Sequence, residues 1–355
     1  AYLPLVSFVA LAMGALNARR HFATSAAAPL AFNLTVIAAL LTLGVVWPGD
    51  GAIYGVAWAV VAGGVSQVGL QLYGLKRAGL LTWPRPRVSP EIRRILWLMA
   101  PAVGALAVYQ LNILIVRFVA SGLAEGSVTA LFYADRFFQL PLGVFGIAIA
   151  TASLPALSDA HLEGGNTALA RTLVRSLELN AFIAIPATAG LIALALPIAA
   201  TVLQHGAFSH AQAQETAWVL EMLAPGLLAV ASIRVVSQAF FSIQDTRTPV
   251  ACSAIGVATN LALASALATE LGARGLALSL TLSAWVQLAV QLIFLRRRLA
   301  GASATGGLAS LGRAAQSAVL ALPMAGAAWG VAQLGDWPRG LGLWNAVVLV
   351  AAVAK

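Results

Sequence analysis

The chain has 355 residues, 60% of them hydrophobic and only 9% charged, with a formal net charge of +9. A soluble globular domain carries about 25% charged residues, so this composition excludes a water-soluble enzyme, a disordered chain and a nucleic-acid-binding domain. It implies an all-α polytopic membrane protein, because backbone inside a bilayer must satisfy its own hydrogen bonds and the apolar runs are continuous and about 20 residues long, unlike the short alternating strands of an outer-membrane barrel.

In chain order, about eleven apolar segments are predicted as membrane-spanning helices: 1–17, 27–48, 52–74, 95–120, 127–157, 178–204, 214–242, 248–269, 275–295, 314–334 and 340–354. Alternate loops between them are basic. They hold Arg19 and Arg20, then Lys76, Arg77, Arg85, Arg87, Arg93 and Arg94, then Arg171 and Arg175, then Arg247, then Arg296, Arg297, Arg298 and Arg313. The intervening loops carry only Arg274 and Arg339, with Asp50, Glu125, Glu215, Glu270 and Asp336. The positive-inside rule puts the basic loops on the cytoplasmic side and the start of the chain on the outer side. Nothing at Ala1 reads as a signal peptide. Because the sequence opens and closes within apolar runs, it is expected to be part of a longer chain. Its single cysteine, Cys252, makes no intrachain disulfide.

A weak repeat runs through the chain. Gly55, Gln67, Gln71, Leu72, Leu75 and Arg77 recur as Gly275, Gln287, Gln291, Leu292, Leu295 and Arg297, and Arg20 and Asn33 recur as Arg247 and Asn260. The paired segments lie six spans apart and share one orientation, as in a parallel repeat of six-helix lobes. The expected organisation is therefore the last three helices of a first lobe over 1–75, a basic cytoplasmic linker over 76–94 and a second six-helix lobe over 95–298. Two additional helices follow over 299–355, the last one truncated. The linker, with Trp83, Pro84 and Pro86, is expected near anionic lipid.

Charges inside spans are costly and usually face an interior or a cavity. Arg136 lies roughly 14 Å into its span at 1.5 Å per residue, near the midplane. Asp135 precedes it, Gln139 lies about one turn on, and Pro141, Gly143 and Gly146 follow. Its guanidinium either faces a cavity and grips an anion, best a phosphate in bidentate fashion, or forms a structural ion pair between lobes. Arg234 and Arg117 are further candidates, nearer the inner and outer ends of their spans. Asn33, Asn112 and Asn260 are intramembrane amides that contact substrate or join helices.

Other chemistry is poorly represented. The four histidines lie in loops without metal-ligand spacing, so no metal site is expected. Gly63 and Gly64 sit in an apolar run without a following Lys-Ser/Thr and read as helix packing rather than a phosphate loop. No intramembrane carboxylate pair is present, which argues against an embedded hydrolase. Neither catalytic residues nor a cofactor are expected.

The run from Tyr133 to Ala150 (YADRFFQLPLGVFGIAIA), with Leu154, Pro155, Leu157 and Ser158, resembles the bacterial lipid II flippase family (MurJ, also called MviN). So do Gln244 to Pro249 (QDTRTP) and the set Gly14, Leu16, Asn17, Phe22, Ala23, Pro29 and Asn33. The resemblance implies a fourteen-helix, two-lobe exporter fold of the multidrug/oligosaccharidyl-lipid/polysaccharide superfamily, in the bacterial inner membrane. It implies alternating-access transport of an undecaprenyl-pyrophosphate-linked cell-wall precursor (lipid II) from the inner to the outer leaflet. Expected partners are that lipid, the surrounding membrane lipids and cell-wall synthesis or division proteins. Arg136 maps to the family arginine proposed to hold the pyrophosphate, Arg234 to a position that is basic in similar proteins, and the last two spans to a groove for the lipid tail. Gln139 stands where some members have Glu. Val116 and Ala264 stand where sodium-binding members have Asp, so no sodium site is expected. Two alternatives stay open. An exporter of another polyprenyl-linked glycan or of drugs would in the latter case keep cavity acids. A membrane-embedded polyprenyl-phosphate enzyme would need carboxylates or histidines near the cations, where only Asp135 is close.

Overall fold

The computed structural model describes residues 2–19, 21–46, 52–81, 90–299, 321, 323–335, 337 and 343–353, and these are helical with no strand among them. The centre of the expected basic linker, including Trp83, Arg85 and Arg87, lies outside the described residues, as do Arg20, Asp50, Arg313, Asp336, Arg339 and Lys355. The chain divides into two compact units, Ala1–Arg93 and Arg94–Lys355.

The first unit is built on α1 (Tyr2–Ala18), α2 (Phe22–Val46) and α3 (Ala52–Arg77). α3 packs against both of the others. Its glycines make this contact close: a Cβ at Gly63 would stand 2.7 Å from the ring of Phe32, and one at Gly64 would stand 2.9 Å from the ring of Tyr2. The glycine pair thus admits aromatic rings from two neighbours, the packing use of small residues common between membrane helices. Thr35 donates to the Ser66 hydroxyl across the α2–α3 contact at 3.1 Å.

The division between the units falls in the first turn of α4 (Pro90–Ser121). The second unit continues with α5 (Ser127–Pro141), a five-residue π-helical turn (Leu142–Gly146), α6 (Ile147–Ala193) and α7 (Ala195–Leu203). It goes on through α8 (His210–Leu223), α9 (Gly226–Ser242), α10 (Arg247–Leu271) and α11 (Ala273–Arg298). A helix over 323–332, α12, and α13 (Leu343–Val353) end it. Caps punctuate the series. Gly126 at φ 92 precedes α5, a Ser209–Gln212 capping box opens α8, and Gly272 at φ 59 turns the chain from α10 into α11.

Two expected boundaries differ from the structure. Segments 127–157 and 178–204 were expected as separate spans joined by a loop, but helix runs from Ser127 to Ala193 as one 67-residue stretch, long enough for two crossings. The intervening residues include poor helix formers, and the two helical halves meet at a kink at Gly165, at φ 61 and ψ −154. Leu157 before it and Leu169 after it share one buried cluster with Val236 and Phe240 of α9, so both halves pack on the same helix. The segment expected at 214–242 is broken: α8 and α9 meet at a 45° bend.

That bend follows from Pro225, which lacks a backbone donor and restricts the residue before it. Neighbours cover the freed carbonyls. Thr281 of α11 donates to the oxygens of Met222 at 2.7 Å and Leu223 at 3.3 Å. Thr188 of α6 donates to Ala224 O at 3.3 Å, and the Trp285 indole N–H donates to Pro225 O at 3.1 Å. A broken helix is tolerated in a membrane where side chains replace the lost backbone partners in this way.

The ion pairs bear on topology. Arg274 meets Glu215 at 3.0 Å, with its guanidinium 3.6 Å from the centre of the Trp218 ring. Arg298 meets Asp245 at 3.3 Å. Arg274 and Glu215 come from loop regions assigned by charge to the outer side, and Arg298 and Asp245 border loops assigned to the inner side, so each pair joins residues placed on the same side.

Candidate functional site

The sequence of α5 divides its surface. Ala130, Leu131, Ala134, Phe137 and Phe138 are buried in a cluster shared with Ala213, Ala217 and Leu220 of α8. Helical spacing then turns Phe132, Arg136, Gln139 and Leu140 to the opposite stripe, and all four are exposed. Leu140 is 64% exposed, which marks this stripe as one that the second unit does not cover by itself.

The groups on this stripe are arranged so that the cation stays free. Gln139 donates from Nε2 to the carboxylate of Asp135, one turn earlier on the same helix. Arg136 forms neither an ion pair nor a hydrogen bond among the described residues; its guanidinium carbon lies 4.8 Å from the centre of the Phe132 ring. Arg117, exposed near the end of α4, is close enough to Asp135 to act on it electrostatically. Arg117, Asp135, Arg136 and Gln139 therefore form one polar group in an otherwise apolar stretch. Arg234, on α9, is exposed and unpaired among the described residues.

The amides behave differently. Asn260 is 1% exposed. Its Nδ2 donates to Asn112 Oδ1 at 2.7 Å, and its Oδ1 accepts from the Ser279 hydroxyl at 2.9 Å. The three side chains tie α4, α10 and α11 together. Asn33, in the first unit, is exposed.

Just beyond Gln139, α5 borders an apolar cavity of about 310 Å³. Leu140 and Pro141 form its near wall, Leu191 and Ile198 its flank, and Met324 and Ala328 of α12 its far side. A free guanidinium and an apolar groove thus lie within two turns on one helix. Such an arrangement suits a ligand with an anionic end and an apolar end.

At the inner end of the second unit, Asp245 receives hydrogen bonds from the Thr248 hydroxyl at 2.7 Å and the Thr248 N–H at 3.0 Å, capping α10. Desolvation opposes its charge, but these bonds and Arg298 outweigh it and hold the carboxyl below its usual range. This explains the Gln244 to Pro249 motif as a helix start. Sequence reasoning passed over Phe132 and the α6–α7 side of the cavity, naming only the last two spans as a groove. The aromatic-to-arginine spacing of four residues was the signal for Phe132, whereas Ile198 and Met324 lie more than 120 positions apart and left none for their meeting.

A family model described as lipid II flippase MurJ matches residues 1–347. A probable lipid II flippase MurJ of Rhizobium meliloti is 37% identical over 291 residues, covering 80% of this chain and 54% of the relative. The chain thus spans about half the length of the curated relatives it matches. Among solved structures, an inward-closed lipid II flippase MurJ superposes with a TM-score of 0.78 at 19% identity, over 99% of this chain and 70% of that one. An outward-facing multidrug resistance transporter of the MATE family in the MOP superfamily superposes at 0.59 and 18% identity, over 83% and 66%. At such identities the two structures establish likeness of fold.

Proposed function

The chain belongs to the lipid II flippase MurJ family, and on that premise we propose that it carries the second lobe and tail-binding helices of a flippase for lipid II in the bacterial inner membrane. The observation that carries this reading is the unpaired Arg136 guanidinium beside an apolar groove in one membrane-embedded unit. A pyrophosphate drawn into low-dielectric surroundings needs fixed cations, and arginine meets phosphate oxygens with two parallel N–H bonds.

In this reading Arg136 grips the pyrophosphate, with Arg117 and Arg234 as further cations. Gln139 takes up the hydrogen-bonding of Asp135, so that the carboxylate does not engage the N–H donors of Arg136. Asn112 and Asn260 act through the helices they join, and Asn33 contributes from the first unit. The polyprenyl tail lies along the cavity walled by Leu140, Leu191 and Met324. Alternating access, with the two lobes rocking around the head group, delivers it from the inner to the outer leaflet. The protein is a carrier and breaks no covalent bond. Cell-wall synthesis or division proteins are its proposed partners.

The test is leaflet exchange of lipid II by the full-length protein in proteoliposomes. Arg136→Ala is expected to abolish exchange while leaving membrane insertion intact, and Arg136→Lys to restore little of it, since lysine cannot make the paired contact. Exchange at the parent rate by Arg136→Ala overturns the reading.

A further inference from the structure

We propose that Phe132 is a positioning residue for the anion-binding guanidinium of Arg136, holding it in place with its donors free; this rests on the flippase reading above. The first observation is the contact itself, with the guanidinium carbon 4.8 Å from the ring centre. The second is what is missing from the usual partners. The neighbouring carboxylate, Asp135, takes its hydrogen bond from Gln139 and acts on Arg136 only through space.

The chemistry of the two kinds of partner differs. A carboxylate would stabilise a buried arginine by neutralising it and would take up its N–H donors. An aromatic face attracts the cation through the ring quadrupole and uses none of them. Arginine has five such donors in a fixed fork. With the Phe132 ring as its neighbour, the guanidinium keeps its N–H donors for an incoming phosphate.

Phe132 is itself braced. Its ring meets Tyr133 edge-on, with centroids 5.6 Å apart at 76°. Tyr133 in turn meets Phe208, in the loop before α8, at 5.7 Å and 89°. Edge-to-face pairs at such spacing are favourable beyond the area they bury. The row Phe208, Tyr133, Phe132 therefore runs from an outer loop to the cation. An arginine placed by rotamer freedom alone would lose that freedom on binding, and a braced ring limits the loss beforehand.

The experiment measures lipid II binding and leaflet exchange by the full-length protein carrying Phe132→Leu, Phe132→Met, Phe132→Tyr or Arg136→Ala. Removing the ring face with Leu or Met is expected to weaken lipid II binding by about 2- to 30-fold, the range for a cation–π contact at an exposed to desolvated site, with the thermal midpoint unchanged. Phe132→Tyr retains the ring and is expected to bind as the parent does. Leu is backed by Met, which keeps more of the volume, so a folding failure of one leaves the other to decide. Parent-like binding by the Leu or Met variant, together with loss in Arg136→Ala, overturns the role of Phe132 and leaves the flippase reading standing. Equal loss in Tyr and Leu also overturns it, because packing rather than the ring face would then be responsible. Parent-like binding by Arg136→Ala overturns both.

Discussion

The two helix pairs that share the repeat, α2–α3 in the first unit and α10–α11 in the second, bury some of their matched residues to similar depths and others to different ones. Gln71 and Gln291 are both fully buried, Leu75 and Leu295 are 8% and 2% exposed, and Leu72 and Leu292 both face outward at 37% and 38%. In each copy the helix pair is closely packed. The divergence lies in the polar details. Asn260 is sealed into the Asn112–Asn260–Ser279 chain, whereas its counterpart Asn33 is exposed. Asp245 caps α10, whereas the position that the Arg20–Arg247 pairing sets opposite it is Ala18. The repeat therefore keeps residue depth along the C-terminal parts of α3 and α11 and loses it between α2 and α10.

The largest expected effect breaks the tighter copy at its turn. A Cβ at Gly275 would stand 2.0 Å from the backbone oxygen of Leu267, which cannot swing aside. Gly275→Ala is expected to cost about 3 kcal/mol through overpacking against backbone, read as a fall in the unfolding midpoint in detergent. Next, Asn260→Ala strands Asn112, while Ser279 keeps its bond to Leu276 O, and is expected to cost about 2 kcal/mol, as for a group left without its partner. Asn33→Ala is expected to stay within about 0.5 kcal/mol, as surface changes usually do. Equal midpoints for these two variants would remove the distinction between the copies.

The smallest effect sharpens the comparison at the inner side. Asp245→Ala is expected to cost about 1 kcal/mol through the lost cap. Because the Asp245 carboxyl is held below its ordinary value of 3.8, its stabilisation is complete above that value and fades as pH falls through the lower folded one. The stability difference between parent and Asp245→Ala, measured across acid pH, should shrink in that direction. A difference that grows with acid would contradict the assigned sign.

Much of the fold was legible because a bilayer imposes length and apolarity on each segment. The helices at Tyr2–Ala18, Ala52–Arg77 and Ala273–Arg298 lie within a few residues of the expected spans. What sequence reasoning missed was continuity and interruption. Residues 158–177 have the composition of a loop between spans, but Leu169 and Leu173 find a neighbour in α9 and continue the helix. The 214–242 run looked uniform because hydropathy is blind to the donor missing at Pro225. At the candidate site, Arg136 stood out by its cost in an apolar run. That Asp135 takes its hydrogen bond from Gln139 rather than from Arg136 was not legible, since a carboxylate next in sequence suggests a direct pair.

The side-chain bonds to the four carbonyls where α8 turns into α9 have one further consequence. Each already has a donor from α6 or α11, so straightening that span would strip all of them at once and strand three neighbouring side chains. The bend is a keystone rather than an elbow: it ties α6 and α11 to the α8–α9 span. Looser stretches of helix lie elsewhere, such as the π turn after Pro141, where Gly143 has open space around it.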